Sequence, residues 1–204
     1  MDVKFLRVQI MKTLIFSIYR KIAYKFAIIL NTCFGVGYFP VASGTIGTLV
    51  GFPIYVAVRV MHYSYWKTVI MLFGIGVLIF IIGLISITFW KNNGKISKEK
   101  VDNSSIVIDE VLGIIVCLSI CFHDLIFLSE KLHIEMLNSY FTEFAIAFVF
   151  FRIFDIIKPF PIYKIDMEMH NAFGVMLDDV VAGIYAGLSI LATRYLIELL
   201  LNVL

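Results

Sequence analysis

Charged residues are scarce in this sequence. Asp, Glu, Lys and Arg make up 16% of the 204 residues, whereas 61% are hydrophobic, and the mean hydropathy is +0.95. Soluble domains carry about 25% charged residues and about 45–50% apolar residues. The balance therefore excludes an ordinary soluble domain and indicates an integral membrane protein, with a length that suits one domain.

Cysteine and histidine are also few, and they are not arranged as metal ligands. Two of the three cysteines, Cys117 and Cys121, lie four residues apart in an apolar run, which is typical of buried thiols on one helix face. The histidines are dispersed, and only His170 is expected near the charged side described below. A net charge of +2 gives no reason to expect a nucleic-acid partner.

Residues 1–30 mix apolar and basic residues, and the longest uncharged run, Thr13 to Tyr19, is too short to span a bilayer. The frequent basic residues and the lack of a small-residue cleavage site do not fit a signal peptide. The segment predicts a basic amphipathic helix on the membrane surface. The alternative is a helix that only packs on the bundle.

Residues 31–204 predict a transmembrane domain, so the fold class is all-α: a polytopic membrane helix bundle of about five transmembrane helices plus the N-terminal amphipathic helix. The expected spans are roughly residues 46–62, 68–90, 105–122, 139–157 and 175–201. We expect a polar connection from His123 to Asn138 and a polar loop over 162–173. Pro159 and Pro161 end the fourth span.

Alternating spans bring the acidic residues together. The topology places the segments 31–45, 91–104 and 158–174 on one side of the membrane. Five acids from three spans meet at the same depth on that side: Asp109, Glu110, Asp155, Asp178 and Asp179. Most Lys and Arg residues also collect there, so the positive-inside rule makes this side cytoplasmic. Glu143 lies near the other end of span four and is expected to be interfacial.

Five carboxylates at an apolar boundary would repel one another unless some are protonated or a cation is bound. Oxygen ligands without Cys or His favour hard ions, Mg²⁺ first and then Mn²⁺ or Ca²⁺. The same acids could instead be simple helix-dipole partners near helix starts. Their convergence on one side favours the metal site.

Phosphate-binding groups lie in two places on the same side. Ser43, Thr45 and Thr48, with intervening glycines, begin a helix, where free N–H groups favour an anion. Arg152 and Lys158 flank Asp155 on one helical face. The alternatives are an ordinary capped turn and a local ion pair.

Four stretches, in order, carry a resemblance to a known family. They are Gly35 to Leu49 (GVGYFPVASGTIGTL), Ser105 to Gly113 (SIVIDEVLG), Phe151 to Ile162 (FRIFDIIKPFPI) and Phe173 to Gly183 (FGVMLDDVVAG). With them the chain resembles bacterial phosphatidylglycerophosphatase A. The resemblance implies a Mg²⁺-dependent, multi-pass enzyme of the inner membrane that hydrolyses phosphatidylglycerol phosphate to phosphatidylglycerol and phosphate. It also implies that the five acids form the active site, facing the cytoplasm.

In that mechanism the lipid substrate lies with its acyl chains between helices, and Asp178 or Asp179 either activates water or attacks phosphorus. The main alternative function is an ion or metabolite transporter that uses the carboxylate cluster. Transporters place such groups near the middle of the bilayer, whereas these acids crowd one end. A phosphatidyl-group transferase would need an acidic motif that this sequence lacks, and an inactive relative would not need its acids intact.

Overall fold

The computed structural model describes residues 3–93, 104–131 and 136–203, and these residues contain helices and no strand. The helices are α1 (Val3–Asn31), α2 (Ser43–Leu49), α3 (Gly51–Val60), α4 (Tyr65–Asn93), α5 (Ile108–Lys131), α6 (Met136–Ile157), α7 (Ile162–Glu168) and α8 (Ala172–Val203). A short 3-10 turn, Val36–Tyr38, lies between α1 and α2. The predicted all-α bundle is confirmed.

Within the described residues, four segments are long and apolar enough to cross a membrane: α2 with α3 (Ser43–Val60), α4, α5 up to Ser129, and α8 up to Asn202. The predicted fourth span corresponds to α6, which has 22 residues but carries three charges, Glu143, Arg152 and Asp155. All three are paired with other protein groups. The described part of the bundle thus has four clearly apolar candidate spans, and α6 is a further long helix whose charges are paired.

The predicted polar connection from His123 to Asn138 is wrong over most of its length. Helix α5 continues to Lys131, with non-helical backbone at Cys121 (φ −102°, ψ 17°), and α6 begins at Met136; residues 132–135 lie outside the described part. Leu125 is fully buried, and Asp124 pairs with Arg194 at 3.3 Å. Charged residues lower the hydropathy of this segment, so the sequence predicted a polar connection. The helix continues because Asp124 is paired with Arg194 of α8.

Helix α5 lies at the centre of the bundle, and its glycines let α8 approach closely. The share of buried residues in its apolar stretch is 72%, compared with 28% for α4. A methyl group on Gly113 would lie 2.8 Å from the Asp179 carbonyl oxygen, and one on Gly183 would collide with the Gly113 carbonyl oxygen. Small residues at a helix crossing allow such backbone contact, which brings the acids of α5 and α8 together.

Replacing Gly183 with leucine is expected to push α5 and α8 apart and to lower the free energy of unfolding by about 1–3 kcal/mol, the usual cost of overpacking. Thermal unfolding in detergent measures the loss. The matched control is Gly74→Leu in α4, where an added side chain meets open space. Equal stability of the two variants would contradict the close α5–α8 crossing.

Helix α1 packs on α4 by its C-terminal part and leaves the rest exposed. Ala27 is buried, the Ser86 hydroxyl donates to the Asn31 side-chain oxygen at 2.5 Å, and the Val107 N–H donates to the Asn31 carbonyl at 2.9 Å. Residues 9–22 are exposed. The placement of α1 on the membrane surface stays a prediction.

The end of the bundle opposite the acids contains a buried ion pair. Glu143 is fully buried and accepts hydrogen bonds from Arg59 Nε at 3.0 Å and Nη2 at 2.9 Å. The hydroxyl of Ser139 donates to it at 2.6 Å, and that of Tyr55 donates to it as well. Glu143 is thus buried within the protein, where its charge is compensated and ties α6 to α3; its interfacial depth in the membrane stays a prediction.

Candidate active site

A cavity of about 500 Å³ opens at one end of the bundle, which we call the site end. Residues of α2, α5, α6, α7 and α8 line it. All five of the acids singled out in the sequence are among them: Asp109, Glu110, Asp155, Asp178 and Asp179. The structure therefore brings together the acids that the topology placed at one depth; their individual roles stay predictions.

Three of these acids form a tight group. Asp109, Glu110 and Asp179 each place a carboxylate oxygen within 4.8 Å of the other two. Asp109 and Asp179 are buried, and Glu110 Oε2 is buried without a hydrogen-bond partner among the described residues. Like charges this close repel strongly. A group of three oxygen donors with one unused buried oxygen has the chemistry of a site for a hard cation.

The two adjacent aspartates of α8 point to different neighbours, because consecutive helical residues are about 100° apart. Asp179 faces the acids of α5. Asp178 Oδ2 lies 3.0 Å from Lys158 Nζ, and its Oδ1 accepts the N–H of Asp179 at 3.0 Å. The pair that looked equivalent in the sequence is thus divided: Asp179 belongs to the three-carboxylate group, and Asp178 belongs to an ion pair.

Lys158 is held in place by the turn that follows α6. Its backbone is left-handed (φ 45°), a conformation that is rare for residues other than glycine and that often marks functional sites. Its N–H closes the helix on the Phe154 carbonyl at 2.9 Å. Its ammonium lies 2.9 Å from Asp166 and 3.0 Å from Asp178. Burial lowers the pKa of Lys158, but the two carboxylates outweigh it and the pKa is raised, so the side chain stays charged.

Arg152 forms a second cationic position on the cavity wall. Its Nη1 donates to Asp155, one helical turn away, while its Nε is buried without a hydrogen-bond partner among the described residues. The backbone of α2 approaches closely here: a methyl group on Gly44 would lie 2.5 Å from Glu110 Oε1 and 3.4 Å from Arg152 Nη1. Glycine at position 44 therefore lets α2 form part of the cavity.

The predicted phosphate-binding residues divide into two groups. Ser43, Arg152 and Lys158 line the cavity, although the Ser43 hydroxyl donates to the Ser104 carbonyl at 2.7 Å. Thr45 and Thr48 are not among the lining residues; the Thr48 hydroxyl is buried and donates to the Gly44 carbonyl at 2.8 Å. The structure thus gives Thr48 a partner within its own helix, and phosphate binding by the two threonines stays a prediction without a contact.

The sequence interpretation missed Asp166, which lines the cavity with its neighbours Met167 and Met169. These residues lie on or next to α7, in a segment that was expected to be a loop. The sequence does contain a feature that could have indicated this residue. Asp166 follows Lys158 by eight residues, and a turn with Pro159 and Pro161 between them can bring the two side chains together. His170 also lines the cavity, which agrees with its expected position on the same side as the acids.

Known proteins resemble this chain over most of its length. The family model for Phosphatidylglycerophosphatase A matches residues 29–194. The Phosphatidylglycerophosphatase A of Haemophilus influenzae is 38% identical over 94 residues, which cover 46% of this chain and 48% of that protein. The chain thus matches about half the length of this relative.

Two other relatives are covered more fully. A putative phosphatidylinositol-3-phosphatase of Bacteroides thetaiotaomicron is 29% identical over 170 residues, covering 83% of this chain and 94% of that protein. The Phosphatidylglycerophosphatase A of Escherichia coli is 29% identical over 151 residues, covering 74% and 73%. No solved structure matches the chain significantly.

Proposed function

The chain belongs to the phosphatidylglycerophosphatase A family, a family of phosphatases, and we propose that it hydrolyses phosphatidylglycerol phosphate to phosphatidylglycerol and inorganic phosphate. The single observation that carries the proposal is the cavity at the site end, in which five carboxylates face Arg152 and Lys158. A phosphomonoester on a lipid headgroup fits this position because the headgroup lies at the membrane boundary. The names of two relatives support the choice of substrate.

We propose Mg²⁺ as the cofactor, held by Asp109, Glu110 and Asp179. The fit is supported by the 4.8 Å spacing of their oxygens, the absence of nitrogen and sulfur donors in that group, and the buried, unbonded Glu110 Oε2. When bound, the ion would neutralise charge on phosphate oxygens in the transition state. We also propose that the site end faces the cytoplasm at the inner membrane, since the topology predicted from the sequence assigns most Lys and Arg residues to that side.

The protein's own groups suggest a division of work. Arg152 and Lys158 bind and orient the terminal phosphate, with Ser43 beside them. Asp178 lies outside the three-carboxylate group and next to Lys158, so we assign to its carboxylate the role of taking a proton from water or attacking phosphorus. Acid quenching during turnover separates the two routes, because only direct attack leaves a phosphorylated Asp178 to be trapped.

Phosphate release from phosphatidylglycerol phosphate in detergent, with Mg²⁺ present or removed by a chelator, tests the function and the cofactor. We expect release with Mg²⁺ and its loss after chelation, restored when Mg²⁺ is added back. A purified, folded protein that releases no phosphate under either condition would refute the proposed function. Full activity after chelation would refute the cofactor alone.

Replacing Lys158 with glutamine is expected to lower kcat/KM about a hundredfold, the scale seen when one group that stabilises transition-state charge is removed. It removes a cation from the phosphate position and leaves Asp178 and Asp166 unpaired. The control is Lys164→Gln, because Lys164 is exposed and pairs only loosely with Glu168, at 3.9 Å. Steady-state kinetics measure both, and a Lys158 variant as active as the Lys164 variant would contradict the assignment.

The alternative, an ion or metabolite transporter, has less support. Below the acids α5 and α8 touch through Gly113 and Gly183, and the side chains around the crossing, including Ile114 and Ala182, are fully buried and apolar. A transport path would need polar groups that continue from the cavity toward the opposite end. The described part of these two helices offers only close packing there.

A further inference from the structure

A second cavity, of about 250 Å³, lies in the apolar part of the bundle as a groove between α4 and α8 with α5 as its floor. Its α4 wall includes Phe73, Gly76, Val77 and Phe80; Leu177 and Val180 form its α8 wall. Phe73 is 64% exposed, so the groove is open toward the surrounding lipid. The one hydroxyl at the floor, that of Ser119, is used within α5, where it donates to the Val116 carbonyl at 2.8 Å.

A basic residue, Lys91, lies on the same face of α4 as this groove. Phe73, Phe80 and Lys91 are separated by seven and eleven residues, so with 3.6 residues per turn they lie within roughly 20° of one another around the helix. The rise of 1.5 Å per residue puts Lys91 ~16 Å above Phe80, toward the site end. In the described part of the chain, Lys91 has no carboxylate partner.

The groove and the cation belong to one seam between α4 and α8, and the seam reaches the candidate active site. Two contacts define it: the rings of Phe80 and Phe173 lie 5.9 Å apart, and Lys91 Nζ donates to the His170 carbonyl at 3.1 Å. His170 and Met169, in the turn between α7 and α8, line the catalytic cavity. Lys91 therefore contacts a residue that lines that cavity.

We propose that this seam binds the lipid part of the substrate, with an acyl chain in the groove and the phosphodiester at Lys91; the proposal rests on the proposed function. In an anionic phospholipid the apolar acyl chains are followed by a negatively charged phosphodiester. An apolar groove with a positive charge at its site end is complementary to that arrangement. The headgroup then crosses the turn between α7 and α8 and places its terminal phosphate near Arg152 and Lys158. Lys91 and the groove become determinants of specificity for a diacyl lipid with a phosphodiester.

The glycines of α4 allow a matched test. A side chain on Gly76 would enter the groove, where a methyl group meets Ile115 and Leu112 at ordinary contact distances of 3.7 and 3.8 Å. A side chain on Gly74 meets open space two residues away. Gly76→Leu fills the groove, and Gly74→Leu makes the same chemical change outside it.

Kinetics with two substrates are the first experiment: dioleoyl phosphatidylglycerol phosphate and its diacetyl analogue, which keeps both phosphates but has no long chains. We expect Gly76→Leu to raise the KM for the dioleoyl substrate about tenfold, the effect of removing around two methylene groups from apolar surroundings. The diacetyl analogue should be hydrolysed with kcat/KM within about twofold of wild type. Gly74→Leu should match wild type with both.

Lys91→Gln tests the cationic end, with Lys164→Gln as control. The variant should raise the KM for the dioleoyl and diacetyl substrates alike, because both carry the phosphodiester, and leave hydrolysis of glycerol phosphate unchanged. If Gly76→Leu behaves like Gly74→Leu with the dioleoyl substrate, or harms the diacetyl analogue equally, the groove assignment is overturned. Equal behaviour of the two lysine variants overturns the assignment of Lys91.

Photocrosslinking on the wild-type protein keeps the test valid if Gly76→Leu does not fold. Phosphatidylglycerol phosphate with a diazirine in one acyl chain should label peptides that contain Phe73–Phe80 or Leu177–Val180, and unlabelled dioleoyl substrate should compete where dioleoylglycerol does not. Labelling that diacylglycerol displaces equally, or that spreads evenly over lipid-facing helices, would overturn the proposal. Absence of phosphate release by wild type would instead refute the proposed function, whatever the labelling shows.

Discussion

Phosphate release by the Asp179→Asn variant is expected to fall at least about a thousandfold below wild type. Asp179 is buried, within 4.8 Å of Asp109 and Glu110, and the amide supplies no negative charge to a divalent cation. Losing one group that stabilises transition-state charge costs about a hundredfold to a thousandfold, and weaker cation binding adds to that loss. Single-turnover and steady-state phosphate release at saturating Mg²⁺ measure the effect.

Cation binding gives a readout separate from turnover. Titration with Mn²⁺, followed by electron paramagnetic resonance, should show weaker binding to Asp179→Asn than to wild type, whereas Glu168→Gln should bind as wild type because Glu168 is exposed on α7. Because asparagine nearly preserves the shape of aspartate, the variant should remain folded. If Asp179→Asn keeps at least about a tenth of wild-type activity and binds Mn²⁺ with unchanged affinity, Asp179 is not part of the proposed cation site.

The second large effect is expected at the opposite end of the bundle. Replacing Glu143 with alanine should lower the free energy of unfolding by about 3–5 kcal/mol, because it leaves the Arg59 guanidinium in a partly buried position without its counter-charge. Tyr55 and Ser139 lose their shared acceptor at the same time. Thermal or denaturant unfolding in detergent measures this loss, and the site end is too far away for a direct effect on chemistry.

Helix α8 provides the matched control. Glu198 also pairs with an arginine, Arg194, at 2.9 Å, but Arg194 keeps Asp124 as a second partner. Glu198→Ala should therefore cost no more than about 1 kcal/mol. A double variant, Arg59→Met with Glu143→Leu, should regain much of the lost stability, since well-packed apolar pairs often replace buried ion pairs without loss. Equal stability of Glu143→Ala and Glu198→Ala would contradict this view of the cluster.

The sequence predicted the parts of the structure that depend on hydropathy and on alternation of spans. Apolar runs located α4, the first part of α5 and α8, and alternation placed Asp109, Glu110, Asp155, Asp178 and Asp179 around one cavity. Four physical considerations were enough for this: the length of a membrane span, the period of a helix, the cost of buried charge and the effect of Pro159 and Pro161. The family match then agreed with the resemblance carried by the four stretches.

Tertiary partners explain what the sequence could not predict. The end of α5, residues 123–131, was missed because Asp124 lowers local hydropathy, and its partner Arg194 is 70 residues away. The burial of Glu143 was not predicted for the same reason, since its partner Arg59 is 84 residues away. Helix α7 is too short for a clear periodic signal, so Asp166 was missed with it. The different surroundings of Asp178 and Asp179 depend on which helices lie on either side of α8, and sequence spacing alone does not give that.

The central position of α5 also has a consequence for the order of events during synthesis. Asp109 and Glu110 reach the membrane with α5, before α6 and α8 have been made, and most of the α5 surface that later contacts protein must at first contact lipid. Asp179, the third member of the carboxylate group, arrives only with α8. The repulsion between Asp179 and the two acids of α5 therefore begins when α8 docks through Gly183. Until then the nascent protein lacks Asp178 and Asp179 and the proposed cation site is incomplete, so a chain interrupted before α8 is expected to be inactive.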